Sequence, residues 1–311
     1  RDRSPSRGLG DVYKRQVKSD CLQRFIFDNA AIRGEWVNLQ ESWQEVLNRR
    51  DYPQALRNVL GEMMGAAALL AATVKITGRL VLQVRSEGPV SLMMVECTSK
   101  DTLRALAQWD GEIADDASLT DMMGGGTLAI TIEQEGAKQP YQGVVSLQGI
   151  NLAETLENYF ENSEQLATKI WLSANEHNVA GLFLQQLPSE ENQREDAQED
   201  WFRISQLAST ITDEELLTLE SETLLHRLFH EEQVRLFEPT DLRFSCTCSR
   251  QRVEETIAML GQEEADDIIV TEGEIEVACE FCNQHYTFDK VDVAKLFNDT
   301  VASASDPNTL H

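Results

Sequence analysis

Apolar positions change period along this chain, and the changes mark out its elements. Gln54–Thr73 is a nearly unbroken run rich in Ala, Leu and Met behind Pro53, which predicts a helix with proline at its entrance. Leu80, Leu82 and Val84 alternate with Val81, Gln83 and Arg85 up to Gly88-Pro89, the pattern of a strand followed by a turn. Leu128, Ile130 and Ile132 alternate with Ala129, Thr131 and Glu133 in a second strand, and Tyr141–Leu147 reads as a third. Asn151 with Glu154 three residues on predicts a helix start, after which Leu152, Leu156, Tyr159 and Phe160 form one apolar stripe. Trp171–Ser173 and Gly181–Leu187 read as two closing strands. Helices and strands intermixed in this order predict an α+β fold, with a mixed α/β core domain over residues 17–188.

At Pro188 the composition shifts. Residues 189–240 hold fourteen acids and four bases. Helical signals persist there: Thr212 and Glu215 are spaced as a capping box, and Leu224, Leu225, Leu228 and Phe229 make a stripe. We read residues 189–243 as an acidic linker of short amphipathic helices. Short helices under a like-charge load are marginal alone, so their apolar faces must dock on something. Leu224, Leu228 and Phe229 are the candidate residues for linker docking or client binding.

Residues 244–311 read as a small cysteine module. Cys246-Thr247-Cys248 is followed, after thirty intervening residues, by Cys279-Glu280-Phe281-Cys282. Two close thiol pairs with a folded-length spacer are what a tetrahedral zinc site needs. The C-x-C pair is tighter than the usual C-x-x-C and also suits a strained, exchangeable disulfide. The motif therefore reads as a zinc clamp, a thiol switch, or both. Between the pairs, Val253–Leu260 predicts a helix, Gly273 a turn, and Ile275–Val277 a strand leading into Cys279. His285 reads as a neighbour of the site rather than a ligand, and the isolated Cys21 and Cys97 as small buried hydrophobes.

Charge and motifs narrow the function classes. A formal net charge of −26 disfavours a nucleic-acid partner, because phosphates repel such a surface. No G-x-x-x-x-G-K-[ST] occurs, so nucleotide use has no support, and Met123-Gly124-Gly125-Gly126 leads into a strand and reads as a turn. No catalytic triad or metal-hydrolase pattern is present, so no catalytic residue is nominated and the chain does not read as an enzyme. A thiol–disulfide oxidoreductase using Cys279 and Cys282 is the rival reading; against it, the pair follows a strand instead of opening a helix. Met63-Met64 and Met93-Met94 read as core. The longest apolar run, Met63–Ala72, is too short to span a bilayer. Six cysteines, four of them in metal spacing, fit a reducing cytoplasm. Residues 1–16 carry five bases and two acids without an apolar h-region, and we read them as a non-native extension.

The chain resembles the heat shock protein 33 family, redox-regulated bacterial holdase chaperones. The likeness is carried by FSCTCSR at 244–250, GEIEVACEFCNQHYTF at 273–288 and FHEEQVRLFEP at 229–239. DYPQALRNVL at 51–60, YQGVV at 141–145 and NYFENSEQL at 158–166 extend it, and only the first sixteen residues lie outside it. The resemblance implies one Zn²⁺ per chain in the reduced form, held by Cys246, Cys248, Cys279 and Cys282. It implies that oxidation forms Cys246–Cys248 and Cys279–Cys282 disulfides, releases zinc and unfolds the linker. It further implies ATP-independent binding of unfolding client proteins during oxidative stress, with a core domain that forms a homodimer on activation. Replacing the long zinc-closed loop by two tiny ones forfeits on the order of 3–4 kcal/mol of chain constraint.

Overall fold

Two six-stranded sheets enclose one long helix in the computed structural model, which describes residues 20–74, 76–147, 151–188 and 194–304. The amino-terminal extension read over residues 1–16 lies outside the described residues. The core comprises β1 (Asp20–Phe27), β2 (Ile32–Leu39), α1 (Glu41–Leu47), α2 (Gln54–Val74), β3 (Gly78–Arg85), β4 (Val90–Thr98) and β5 (Thr102–Trp109). It continues with α3 (Leu119–Met123), β6 (Thr127–Gln134), β7 (Tyr141–Ser146), α4 (Leu152–Tyr159), β8 (Thr168–Ala174) and β9 (Val179–Gln186). The acidic region supplies α5 (Arg194–Ala208), α6 (Asp213–Thr218), α7 (Ser221–Phe229), β10 (Val234–Leu236), β11 (Thr240–Asp241) and β12 (Arg243–Phe244). The cysteine module holds α8 (Arg250–Leu260), α9 (Gln262–Glu272), β13 (Ile275–Ala278), β14 (His285–Phe288) and α10 (Lys290–Ala304).

The first sheet runs β10-β1-β2-β9-β8, with β11 also on β1; the second runs β12-β5-β4-β3-β6-β7. Only the two-residue β12 joins its neighbour in parallel. Helix α2 lies between the sheets, and Leu56, Leu60, Met63 and Met64 are fully buried there with Leu80, Val84, Met93 and Val95 of the second sheet. That position explains a helix apolar over most of its surface, with Gln54, Arg57, Asn58 and Glu62 confined to its first half. By length and composition Gln54–Val74 could cross a membrane, which the shorter run Met63–Ala72 did not suggest; here most of it is packed inside the protein. Gly61 permits close packing: a Cβ there would stand 2.6 Å from Ala174 Cβ and 2.9 Å from Val179 Cγ2. Met94, expected in the core, is only half-buried.

Strand alternation gives the first sheet two apolar faces. Leu22, Val37 and Phe183 belong to the α2 side, whereas Phe25, Phe27, Ile32, Trp36, Leu182 and Leu184 line the other. Helices α5–α7 cover that second face with Ile204, Leu216, Leu224, Leu225, Leu228 and Phe229. The capping box forms at the start of α6, with Thr212 and Glu215 bonding each other's backbone amides. The chain then returns to the core: β10 pairs antiparallel with β1, and β12 extends the second sheet beside β5. Beyond it the cysteine module has a core of seven residues, Val253, Ile257, Ala265, Ile269, Ile275, Phe288 and Val293. Helices α8 and α9 are separated at Gly261, whose φ of 93° falls where only glycine is at ease.

Candidate metal centre

Two loops bring four sulfurs together. Cys246 and Cys248 lie between β12 and α8, and Cys279 and Cys282 lie in the turn between β13 and β14. The first loop is fixed from behind. Ser249 caps α8 by accepting from Arg252 N, and Arg252 Nη1 donates to the Thr247 carbonyl at 2.9 Å and to its Oγ1 at 2.8 Å. The second loop closes through Cys279 N to the Gln284 carbonyl at 2.9 Å and Asn283 N to the Cys279 carbonyl at 2.7 Å, with Asn283 at φ 54°.

All four Sγ atoms lie within 4.8 Å of one another, each half-buried. Two contacts join the loops: Cys246 to Cys279 at 3.7 Å and Cys248 to Cys282 at 3.3 Å. Four thiolates bonded at about 2.3 Å around a tetrahedral zinc ion would stand about 3.8 Å apart. The donor set and its spacing therefore fit a metal ion. Proximity in this state does not select pairing within each loop, because sulfurs meet between the loops as well as within them.

The electrostatics are those of a cluster that cannot ionise fully by itself. Burial pushes the Cys279 and Cys282 thiols up; the other three sulfurs add to this at Cys282, whereas at Cys279 the Cys282 and Phe281 amides and the Cys282 thiol pull the other way without overcoming it. At Cys246 burial also pushes up, but the Cys248 amide, the Cys282 thiol and the Arg104 guanidinium outweigh it and bring the group down to about 7. A divalent cation would relieve the repulsion among the thiolates.

Side chains that the sequence did not nominate complete the site. Tyr286 donates its hydroxyl to Cys248 Sγ at 3.2 Å. Arg104, on β5 of the core, approaches Cys246 Sγ at 3.7 Å and stacks on the Phe281 ring at 4.1 Å. Its other nitrogen holds Glu96 Oε2 at 2.8 Å, and Gln108 donates to Glu280 at 2.6 Å. Tyr286 had a signal in the alternating strand beside the cysteines; Arg104, 142 positions before Cys246, had none. His285 turns instead to Glu276, at 2.7 Å. Cys21 and Cys97 are buried and remote from the cluster. No helix opens at Cys279, which removes the geometry an oxidoreductase C-x-x-C motif uses to activate its thiol.

These features define a class: a two-sheet core, overlaid by acidic helices, that carries a docked module with four clustered thiols able to hold a metal ion. The Hsp33 protein family matches residues 20–289, and the chain belongs to that chaperone family. A 33 kDa chaperonin of Nitrosococcus oceani is 52% identical over 282 residues, covering 91% of this chain and 96% of its own length. One of Pseudomonas fluorescens is 49% identical, covering 90% of this chain and 94% of its own. The crystal structure of the 33 kDa chaperonin of Thermotoga maritima shares the fold, with a TM-score of 0.78 over 91% of this chain and 99% of that one, at 23% identity.

Proposed function

We propose that the chain is a redox-regulated, ATP-independent holdase whose four cysteines hold one zinc ion when reduced, in a bacterial cytoplasm. The observation that carries this is the sulfur cluster that follows, after three short strands, the helices that cover the apolar face of the first sheet. Bound at Cys246, Cys248, Cys279 and Cys282, zinc would keep the sulfurs as thiolates and tie two loops into one unit. Within each pair, two thiolates and one hydrogen peroxide become one disulfide and two hydroxide ions. The within-loop pairs Cys246–Cys248 and Cys279–Cys282 then no longer join the loops to each other.

Among its described residues the module buries seven apolar side chains in its own core, which leaves little else to hold it folded. Its unfolding loosens α5–α7, and Phe25, Phe27, Ile32, Trp36, Leu182 and Leu184 become available to unfolding client chains. Residues 17–188 then act as the client-binding and dimerising domain, 189–243 as the metastable linker and 244–311 as the switch. The test is light scattering of a thermally unfolding client, with zinc release followed in parallel. Suppression by the peroxide-and-heat-treated protein but not by the reduced one is expected. Equal suppression by both forms, or oxidation without metal release, would overturn the proposal.

A further inference from the structure

Among the described residues, the polar and cation–π contacts from the module to the face of the second sheet come from the cysteine loops themselves. Cys246 and Phe281 meet Arg104, and Glu280 meets Gln108. Arg104, Leu106 and Gln108 alternate onto one face of β5, so Leu106 lies between the two docking contacts. It is 2% exposed. Arg104 is held beneath the loops by Glu96, which Arg79 also binds at 3.1 Å.

Four thiolates around a divalent cation sum to a charge of −2, and a guanidinium against one of those sulfurs is attracted to it. When two peroxide molecules convert four thiolates to two disulfides and four hydroxide ions, and the metal leaves, the sulfur charge falls to zero. The same step reshapes the loop from Cys279 to Cys282, which carries both Glu280 and Phe281. We infer that Arg104 reads the charge of the four-sulfur centre and latches the module to the second sheet, so that oxidation frees this face as well as the linker. This rests on the four cysteines being a metal-binding, oxidisable centre. Arginine suits the task because its planar fork can hold a carboxylate, meet a sulfur and stack on an aromatic ring together.

The experiment uses the full-length, reduced, metal-loaded chain and the variants Arg104→Gln and Phe281→Leu. Bound metal is counted and carbene footprinting reads labelling of Leu106. Both variants are expected to keep one metal per chain and to label Leu106 on the order of tenfold more than the wild type, given the size of partly desolvated cation–π and charge-assisted contacts. The wild type should reach that level only after peroxide. Glu96 keeps Arg79 when Arg104 is replaced, so the core retains its charge pairing. Phe281→Leu decides the matter should Arg104→Gln fail to fold, because it leaves β5 untouched. Full metal occupancy with Leu106 as protected as in the wild type would overturn the latch alone. A reduced wild type that binds no metal would overturn the site reading beneath it.

Discussion

Glu62 stands on α2 with its carboxyl pushed up to about 7, first by burial and then by the charge of Asp213 at the start of α6. A carboxylate of a linker helix thus acts on a carboxyl group of the core helix through their like charge. The folded state holds a proton that the unfolded chain, at the usual 4.5, would release. The stability this contributes is present below the unfolded value and is lost as pH rises through about 7. Glu35 adds in the same direction: burial pushes it to about 7 against the pull of Arg33 and Arg24, and its Oε2 has no partner. Hydrogen exchange of residues 213–218 should therefore be faster at pH 8 than expected from base catalysis alone. Glu62→Gln should slow it and raise Tm at pH 8, while part of the pH trend survives through Glu35. A variant as pH-sensitive as the wild type in α6 would refute the pairing with Asp213.

At the scale of elements, α7 is the main apolar anchor of the linker. Phe229 meets the Phe27 ring edge-on at 5.0 Å and lies 6.5 Å from Phe25. Removing such a buried ring costs about 3–5 kcal/mol. That loss falls on the outer face of the first sheet, across the strands from α2. Phe229→Ala should strip exchange protection from residues 194–229 and leave α2 and β3–β6 protected. In the proposed mechanism it also gives holdase activity without oxidation, as should polar residues at Leu224 or Leu228. Strands with one wet face were legible in the sequence, such as β6, where polar residues alternate with buried ones. β1, β2 and β5 were not, because both of their faces are buried and alternation vanishes. Likewise α9 was hidden by its acids, since only Ala265 and Ile269 are buried along it. The cysteine pairs were legible because a metal site is written in local spacing. The surface they dock on was not, because β5 is brought to them by tertiary folding alone.

For the whole molecule the relevant quantity is charge. The chain carries −26 overall, and fourteen acids fall within residues 189–240. Glu195, Glu199, Glu214 and Glu220 are exposed there. Self-repulsion of this kind is screened over about 8–10 Å at physiological ionic strength. Changing all four to Gln should slow linker exposure after peroxide, and moderate salt should slow it in the wild type but less in the variant. Exposure followed by a fluorescent apolar dye after oxidant mixing measures this; equal rates in both proteins at low salt would rule out a charge-loaded linker.

The acidic helices are stitched to the first sheet on both sides. Leu187 N donates to the Ala31 carbonyl at 2.7 Å on one side, and Val234–Leu236 pair with Phe25–Phe27 on the other. Helices α5–α7 therefore form a strap tied at both ends: they can lift from the sheet without departing from it. A lifted strap stays at an effective concentration on the order of millimolar above its own berth. Any guest on that face competes with a resident that never diffuses away. In the proposed mechanism, weak guests would be displaced as the strap settles back, and only those that hold the apolar surface more firmly than it does would remain. The strap would thus set an affinity threshold for the face it covers, enforced by chain connectivity rather than by a fuel molecule.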